Sequence, residues 1–569
     1  MATTTAAHPH ELANAERHSG SDIEKNEKVI DISGADQDVK MKWTFHRVVA
    51  IASLCLVYVG AQEILYFVGG ALTYIGYDIG TTFPNWLLTA NTLAVASICP
   101  FVGYLTDLLG RKWITIFGAL LLVIASILLG VASNFATAIV AMTLGGIGAG
   151  ICELTALAGV AEITPVRWRG VTLSIVTFSI VPFMPYLLYI LEFEIHSTWR
   201  YVFAISGAWN FLGLIGLIFC YKPPARHNVD GLSTGQILAQ IDWMGAFISI
   251  AGVTLFLVGL QAGGYQYAWT DGRAIGPLVV GILLILAFPV WELFGTSKPM
   301  VPKEIFQGQR LIALAYLIVF IAGMFFYSIL GFFPVILTAF YDPDPVLAGV
   351  RGLCYPIAIL SGACIVSFLM SYTRGHVRWM FVSCSVLMTA FGGALAAATP
   401  FNPQLAVTAA TFASFGVGGV IVPALTLALY AAPDRYIGTV AALSLTVRFL
   451  GGSIGTTIYY NIFNNRISGL LPEYVATAAV QAGLPPADLI QFIVALTNPI
   501  NAASLLAQVP NITPQIIQAG ALALRWAYSD SLQCVWYATI PFGVISILCS
   551  AFIPNIRQYM TERVAVVIH

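Results

Sequence analysis

Fourteen times along this chain a run of about 20 apolar residues is followed by a polar turn, and that rhythm leaves few folds open. The runs cover roughly 47–68, 86–105, 113–132, 136–160, 170–191, 200–220, 242–262, 274–293, 311–334, 350–371, 377–398, 404–430, 439–463 and 533–554. A hydrocarbon layer of ~30 Å is crossed by about 20 helical residues. In lipid every backbone N–H and C=O must be satisfied within the protein, which leaves helices or a closed barrel. Runs of this length without alternation specify helices. The chain is therefore read as an all-α polytopic membrane protein with 14 transmembrane helices. With 9% charged residues, against about 25% in soluble domains, it has little surface to offer water.

An even number of spans places both termini on one side. Of the 26 lysines and arginines, 20 fall in the two tails and the loops facing that side, among them Arg111, Lys112, Arg167, Arg169, Lys298, Lys303, Arg374, Arg378 and Arg435. Five lie at the opposite ends of the spans, and Arg448 lies within a helix. The positive-inside rule makes both termini cytoplasmic. Residues 1–44 carry eight acids, five bases and no apolar run, the composition of a disordered tail. Lacking an apolar region, this stretch is not a signal peptide. The net charge of −1 gives no sign of a nucleic-acid partner.

An internal repeat divides the spans. Pro165-Val166-Arg167-Trp168-Arg169-Gly170 follows span 4, and Pro433-Asp434-Arg435-Tyr436-Ile437-Gly438 follows span 12. Both read Pro-x-Arg-aromatic-x-Gly, and each trails a glycine cluster (Gly145–Gly150; Gly416–Gly419). An offset of eight spans implies two parallel six-helix halves with two helices inserted between them. The organisation is then a tail 1–44, a first bundle 45–221, a linker 222–310 with two extra spans, a second bundle 311–555 with a long outer loop 464–531, and a tail 556–569. That loop holds the sequon Asn511-Ile512-Thr513, a glycosylation candidate on the outer side.

The loop between spans 2 and 3 is the most specific motif. Gly103-Tyr104-Leu105-Thr106-Asp107-Leu108-Leu109-Gly110-Arg111-Lys112 places one acid and two bases in a tight turn. Gly103 and Gly110 suit close approach and reversal, and Asp107 suits a base or a helix N-terminus. The pattern Gly-x-Leu-x-Asp-x-x-Gly-Arg-Lys resembles the signature loop of the major facilitator superfamily. That resemblance implies a secondary transporter whose Asp107 and Arg111 latch a cytoplasmic gate. The counterpart at 371–378 keeps Arg374 and Arg378 but has no acid.

Fourteen helices with a central pair and a long outer loop before the last helix resemble the fourteen-helix drug:proton antiporter branch. Tyr77-Asp78-Ile79-Gly80, Asn85-Trp86, Gly148-Ala149-Gly150 and Glu162 to Gly170 are similar to the fungal trichothecene efflux pump family, which also contains siderophore-iron transporters. Two departures stand out. Met142 occupies the position of that family's helix-4 arginine, and the helix-5 antiporter motif survives only as Val181-Pro182-Phe183-Met184-Pro185.

Few ionisable groups lie inside the spans, and each is a functional candidate because its burial is costly. Glu63, Glu153 and Arg448 are the proton-coupling candidates. Asp242 and Glu292 fall at span ends, where they are read as capping or water-reaching. Gln62, Tyr66, Phe178, Tyr186, Phe326 and Tyr459 are candidates to line a cavity for a flat apolar compound. Gly146/Gly150 and Gly451/Gly455 fit helix packing rather than phosphate binding, since no Gly-Lys-Ser/Thr follows.

Other classes fit poorly. A channel needs a repeated filter or rings of charge. An enzyme needs clustered histidines or acids at one face, whereas the eight histidines are scattered. The nine cysteines sit in or beside apolar runs without a Cys-x-x-Cys, as small core residues. No cofactor or metal is implied. The resemblance implies export of an amphipathic toxin, drug or secondary metabolite across the fungal plasma membrane (or a vacuolar or vesicular one) in exchange for protons. Import of a ferric siderophore is the alternative. An interior with so few charges suits an apolar cargo better.

Overall fold

The computed structural model describes residues 45–81, 83–222, 236, 241–264, 266–306, 310–341, 345–373, 376–497 and 502–560. The tail 1–44, most of the 222–240 linker segment, Arg374 and residues 561–569 lie outside the described residues. Among the described residues the protein is helical without a strand, and 14 helices are long and apolar enough to cross a membrane.

The first half comprises α1 (Phe45–Ile79), α2 (Asn85–Leu109), α3 (Lys112–Gly130), α4 (Phe135–Ile163), α5 (Arg169–Phe178 and Tyr186–His196) and α6 (Arg200–Cys220). The inserted pair is α7 (Trp243–Ala262) and α8 (Gly272–Val290). The second half comprises α9 (Arg310–Phe340), α10 (Pro345–Gly352 and Cys354–Thr373), α11 (Val377–Ala394), α12 (Pro403–Ala431), α13 (Ile437–Gln481) and α14 (Pro514–Ala551). Local chemistry sets several starts. Asn134 accepts from Thr137 N at 2.8 Å to cap α4, and Asn402 caps α12 with Pro403 in its first turn. Such caps satisfy donors that have no partner in the first turn. Pro182 and Pro185 divide α5 into two helices joined through a 3-10 turn at Val181–Phe183, since a proline cannot donate within a helix.

The halves meet along two seams, α2 against α13 and α5 against α10. At the first, Gly103 lets the helices close. A Cβ there would collide with the Ala442 methyl and stand 2.9 Å from Gly438 O. Gly110, at φ 87°, turns the chain between α2 and α3, a conformation that side-chain-bearing residues rarely adopt. The glycine stripes pack as their spacing suggests, Gly146 and Gly150 on α2 and Gly451 and Gly455 on α9. The inserted α7 lies against both α2 and α13, so the extra pair touches both sides of one seam. Thr254 donates to Ser97 of α2 at 2.9 Å, and Gln261 donates to Ser453 O of α13 at 3.2 Å.

The structure corrects the reading of 464–531 as a loop. Helix α13 runs on to Gln481, and α14 begins at Pro514. At 1.5 Å per residue α13 is roughly 65 Å long, about twice a bilayer core. The two overhanging ends and the helix Leu489–Leu496 enclose a separate core of Val475, Ala479, Phe492, Ala495 and Ile516. Apolarity marked only the membrane portion. The helices continue because their overhangs have each other to pack on.

Candidate functional site

The cavity between the halves is small, about 60 Å³, enough for a few waters. Its wall takes Tyr58, Gln62 and Tyr66 from α1, Phe326 and Tyr327 from α9, and Arg448 from α13. Successive turns of one α1 face supply the first three, since residues four apart stack on a helix. Tyr186 stacks on Tyr66 with ring centroids 5.4 Å apart, and its hydroxyl meets that of Tyr355 on α10. Ile180, Met184, Ile359 and Leu360 complete it, so the wall is apolar, part aromatic and part aliphatic, with polar tips and one fixed cation.

That cation is paired. Arg448 Nη2 donates to Glu153 Oε1 of α4 at 2.7 Å, with the two side chains 13% and 2% exposed. The bond joins the two halves at the cavity wall. Chemically it can open whenever a proton or a substrate group takes the place of one partner.

Glu63 sits elsewhere. Its Oε1 accepts from Ser206 Oγ at 2.7 Å and Asn210 Nδ2 at 2.9 Å, both on α6, and the side chain is fully enclosed within the first half. Gln62, its neighbour in sequence, faces the cavity instead. Two other expectations are corrected. Phe178 is 60% exposed at the end of the first α5 segment, and Tyr459 is wholly buried in the second half against Phe542. Both spans contain faces that look away from the cavity, and an aromatic residue does not reveal which face it occupies. Tyr355, Ser206 and Asn210 were missed by sequence reasoning. Among uncharged polar residues, only a helical phase relative to a known cavity residue could have singled them out.

At one end of the seam Asp107 crosses between halves. Its Oδ1 accepts from Gly438 N at 3.1 Å, and its Oδ2 accepts from Thr439 N at 2.7 Å and Thr439 Oγ1 at 2.8 Å. These are first-turn donors of α13, which lack partners within their helix and carry its positive dipole end. Arg111 does not cross. Its Nη2 donates to Glu162 Oε1 of α4 at 2.6 Å and lies 3.9 Å from Asp107 Oδ1. It braces the acid from within its own half, which corrects its reading as a latch to the other one. Lys112 Nζ reaches Ile218 O at 3.4 Å. Burial beside Arg111 and Glu162 pushes the Tyr221 hydroxyl up to about 12, so it stays neutral there.

A second crossing at the same end was read in the sequence only as a topological base. Arg169 Nη1 donates to Leu429 O at 2.5 Å, Arg169 Nε donates to Ala161 O at 2.9 Å, and Asp434 stands 3.9 Å away. The repeated loops after spans 4 and 12 therefore contact one another, which their shared pattern alone does not reveal. Farther along the seam of α5 and α10, the Tyr186 and Tyr355 hydroxyls join the two helices.

Among the described residues no group of three or more histidine, cysteine, aspartate or glutamate side chains is placed to hold a metal ion. All nine cysteines are free.

Comparison with known proteins places these features. The model of one protein family, described as fungal trichothecene efflux pump (TRI12), matches residues 20–569. The trichothecene efflux pump TRI12 of Fusarium sporotrichioides is 26% identical over 531 residues, covering 91% of this chain and 87% of that protein. The efflux pump aflT of Aspergillus parasiticus is 27% identical over 470 residues, covering 79% and 88%. In three dimensions the chain is similar to the major facilitator superfamily proton:xylose symporter XylE, with a TM-score of 0.50 at 14% identity, covering 89% of this chain and 96% of that one.

Proposed function

Because this chain belongs to the fungal trichothecene efflux pump family, we propose that it exports an amphipathic, largely uncharged toxin, drug or secondary metabolite across the fungal plasma membrane in exchange for protons. The observation that carries the coupling is the Glu153–Arg448 bond, the ion pair that joins the halves at an otherwise uncharged, largely apolar cavity. A proton arriving on Glu153 removes the charge that holds Arg448. With the site open to the outside, the halves part at that point and the cargo leaves the wall. Release of the proton to the cytoplasm restores the carboxylate, and new cargo enters from that side before the next proton arrives, so proton and cargo occupy the cavity in turn. Glu63 remains a second coupling candidate, but its enclosure by α6 suits a structural carboxyl better.

In the same scheme Asp107 is the gate residue. Its bonds to the start of α13 hold the seam shut at the cytoplasmic side while the cavity opens outward. Gly103 and Gly110 permit the close approach and the turn, and Arg111 keeps Asp107 oriented. The similarity to efflux pumps supports export, and siderophore import gains no support from those relatives.

Reconstituted proteoliposomes with an imposed pH gradient test the coupling. Transport driven by the gradient should vanish in Glu153→Gln and persist, at reduced protein stability, in Glu63→Gln. Full gradient dependence in the double variant would place the proton site elsewhere. Deletion of the gene in its host tests direction. Export requires hypersensitivity and cellular retention of the cargo, and failure only under iron starvation would favour import.

A further inference from the structure

The inserted pair ends, on the Asp107 side, in two carboxyl groups that the cavity does not use. Asp242 immediately precedes α7, and Glu292 lies in the π-helical turn Trp291–Gly295 that finishes α8. The sequence suggests capping or water-reaching side chains at these positions, and Asp242 does cap α7 through Gly245 N. The structure encloses both, at 7% and 8% exposure.

Asp242 is well supplied with donors. Gly245 N donates to its Oδ1 at 2.8 Å, and Trp291 Nε1 donates to its two oxygens at 3.1 and 3.0 Å. Glu292 draws its donors from the backbone at Met300 and Val301. Val301 N donates to Oε2 at 3.0 Å, while Oε1 is buried and has no hydrogen-bond partner among the described residues. That orphan oxygen and Asp242 Oδ2 both border Gly245. A Cβ on Gly245 would stand 2.5 Å from Asp242 Oδ2 and 3.1 Å from Glu292 Oε1. Tyr104 of α2 is the titratable side chain that faces the pair from outside α7 and α8. Among the described residues no basic side chain pairs with either acid.

Two ionised carboxylates do not coexist in one dry space without a cation. A single proton between them removes one charge and gives Oε1 a hydrogen bond. We propose that Asp242 and Glu292 bind one proton as a carboxyl–carboxylate pair, forming a protonation site in the inserted helices separate from the Glu153–Arg448 bond. The proton comes from solvent and sits on Glu292 Oε1, with Asp242 Oδ2 accepting. The site borders the gate. Tyr104 packs with Ile241, Ala246 and Met300 beside it, three residues before Asp107 on the same helix. Loss of the proton sets two negative charges against each other and loosens that packing.

Infrared difference spectra of the full-length protein in lipid nanodiscs at neutral pH read the proton directly. The wild type minus Glu292→Gln spectrum should contain a protonated-carboxyl stretch that moves in heavy water. The same band should shift or vanish in Asp242→Asn, whose amide is a different acceptor, and should survive in Glu153→Gln. No such band in the first difference overturns the proposal. A band unmoved by Asp242→Asn shows an isolated protonated Glu292 and overturns the pair. A band lost in Glu153→Gln merges the two sites and overturns their independence. Should Glu292→Gln fail to fold, the wild type minus Asp242→Asn spectrum still decides between a shifted and an unmoved band.

Discussion

Arg448 on α13 and Glu153 on α4 form a 2.7 Å ion pair that ties one six-helix half to the other at the cavity wall. Removing one partner of a buried pair strands the other charge, at about 3–5 kcal/mol. Glu153→Gln should therefore lower the Tm of the purified protein and abolish transport. Glu153→Gln combined with Arg448→Gln should recover much of the Tm without recovering transport. A double variant as unstable as the single one would mean that the pair acts through packing rather than charge.

Asp107 gives the second expectation. In Asp107→Asn an amide NH2 replaces one accepting oxygen, so backbone N–H groups of Gly438 or Thr439 now face a donor, and one charge at a helix start is lost. The closed state should weaken by about 1–3 kcal/mol, and transport should fall severalfold at normal surface expression. Thr439→Val removes the Oγ1 donor to Asp107 and leaves the two backbone donors in place, so it should give a smaller deficit. Unimpaired transport in both variants would reduce the loop to a determinant of topology.

Asn511 is exposed at φ 55°, and Thr513 two residues on caps α14 through Ile516 N. On the topology proposed from the charge bias, both lie outside the cell. Endoglycosidase treatment should reduce the apparent mass of the wild type but not of Asn511→Gln. Asn511→Cys should react with an impermeant thiol reagent on intact cells. Reaction only after permeabilisation would invert the orientation.

The overhang of α13 and α14 has its own core, in which Phe492 is fully buried and faces Gly520. Phe492→Ala should cost that region about 3–5 kcal/mol. Limited proteolysis should then cut within 482–513 while the spans stay intact. Equal resistance of variant and wild type would show that the overhang is held by something other than this core.

Much of the architecture follows from the chain alone, because one physical constraint dominates it. Apolar runs long enough to cross lipid must be helical, so fourteen spans and their order can be read directly. The repeated Pro-x-Arg-aromatic-x-Gly loops add the offset of eight that divides them into six, two and six. Asp107 could be singled out because an acid in a ten-residue apolar hairpin has few uses, and Glu153 and Arg448 because charges in spans are rare.

Tertiary structure decided what depends on helix phase and on partners distant in sequence. Glu63 and Gln62 are adjacent, yet a 100° step on α1 sends one into the first half and the other to the cavity. Phe178 and Tyr459 carried the right chemistry on the wrong faces. Arg169 looked like a charge for orientation until Leu429 and Asp434, some 260 residues away, came against it. Asp242 and Glu292 read as capping or water-reaching because a span end is usually wet; Asp242 does cap α7, but only the packing of α7, α8 and α2 encloses the two acids. The helical overhang at 464–531 escaped notice for the same reason. Its apolar residues are too sparse to mark a span, and they become a core only when the overhangs of two successive helices close on the segment between them.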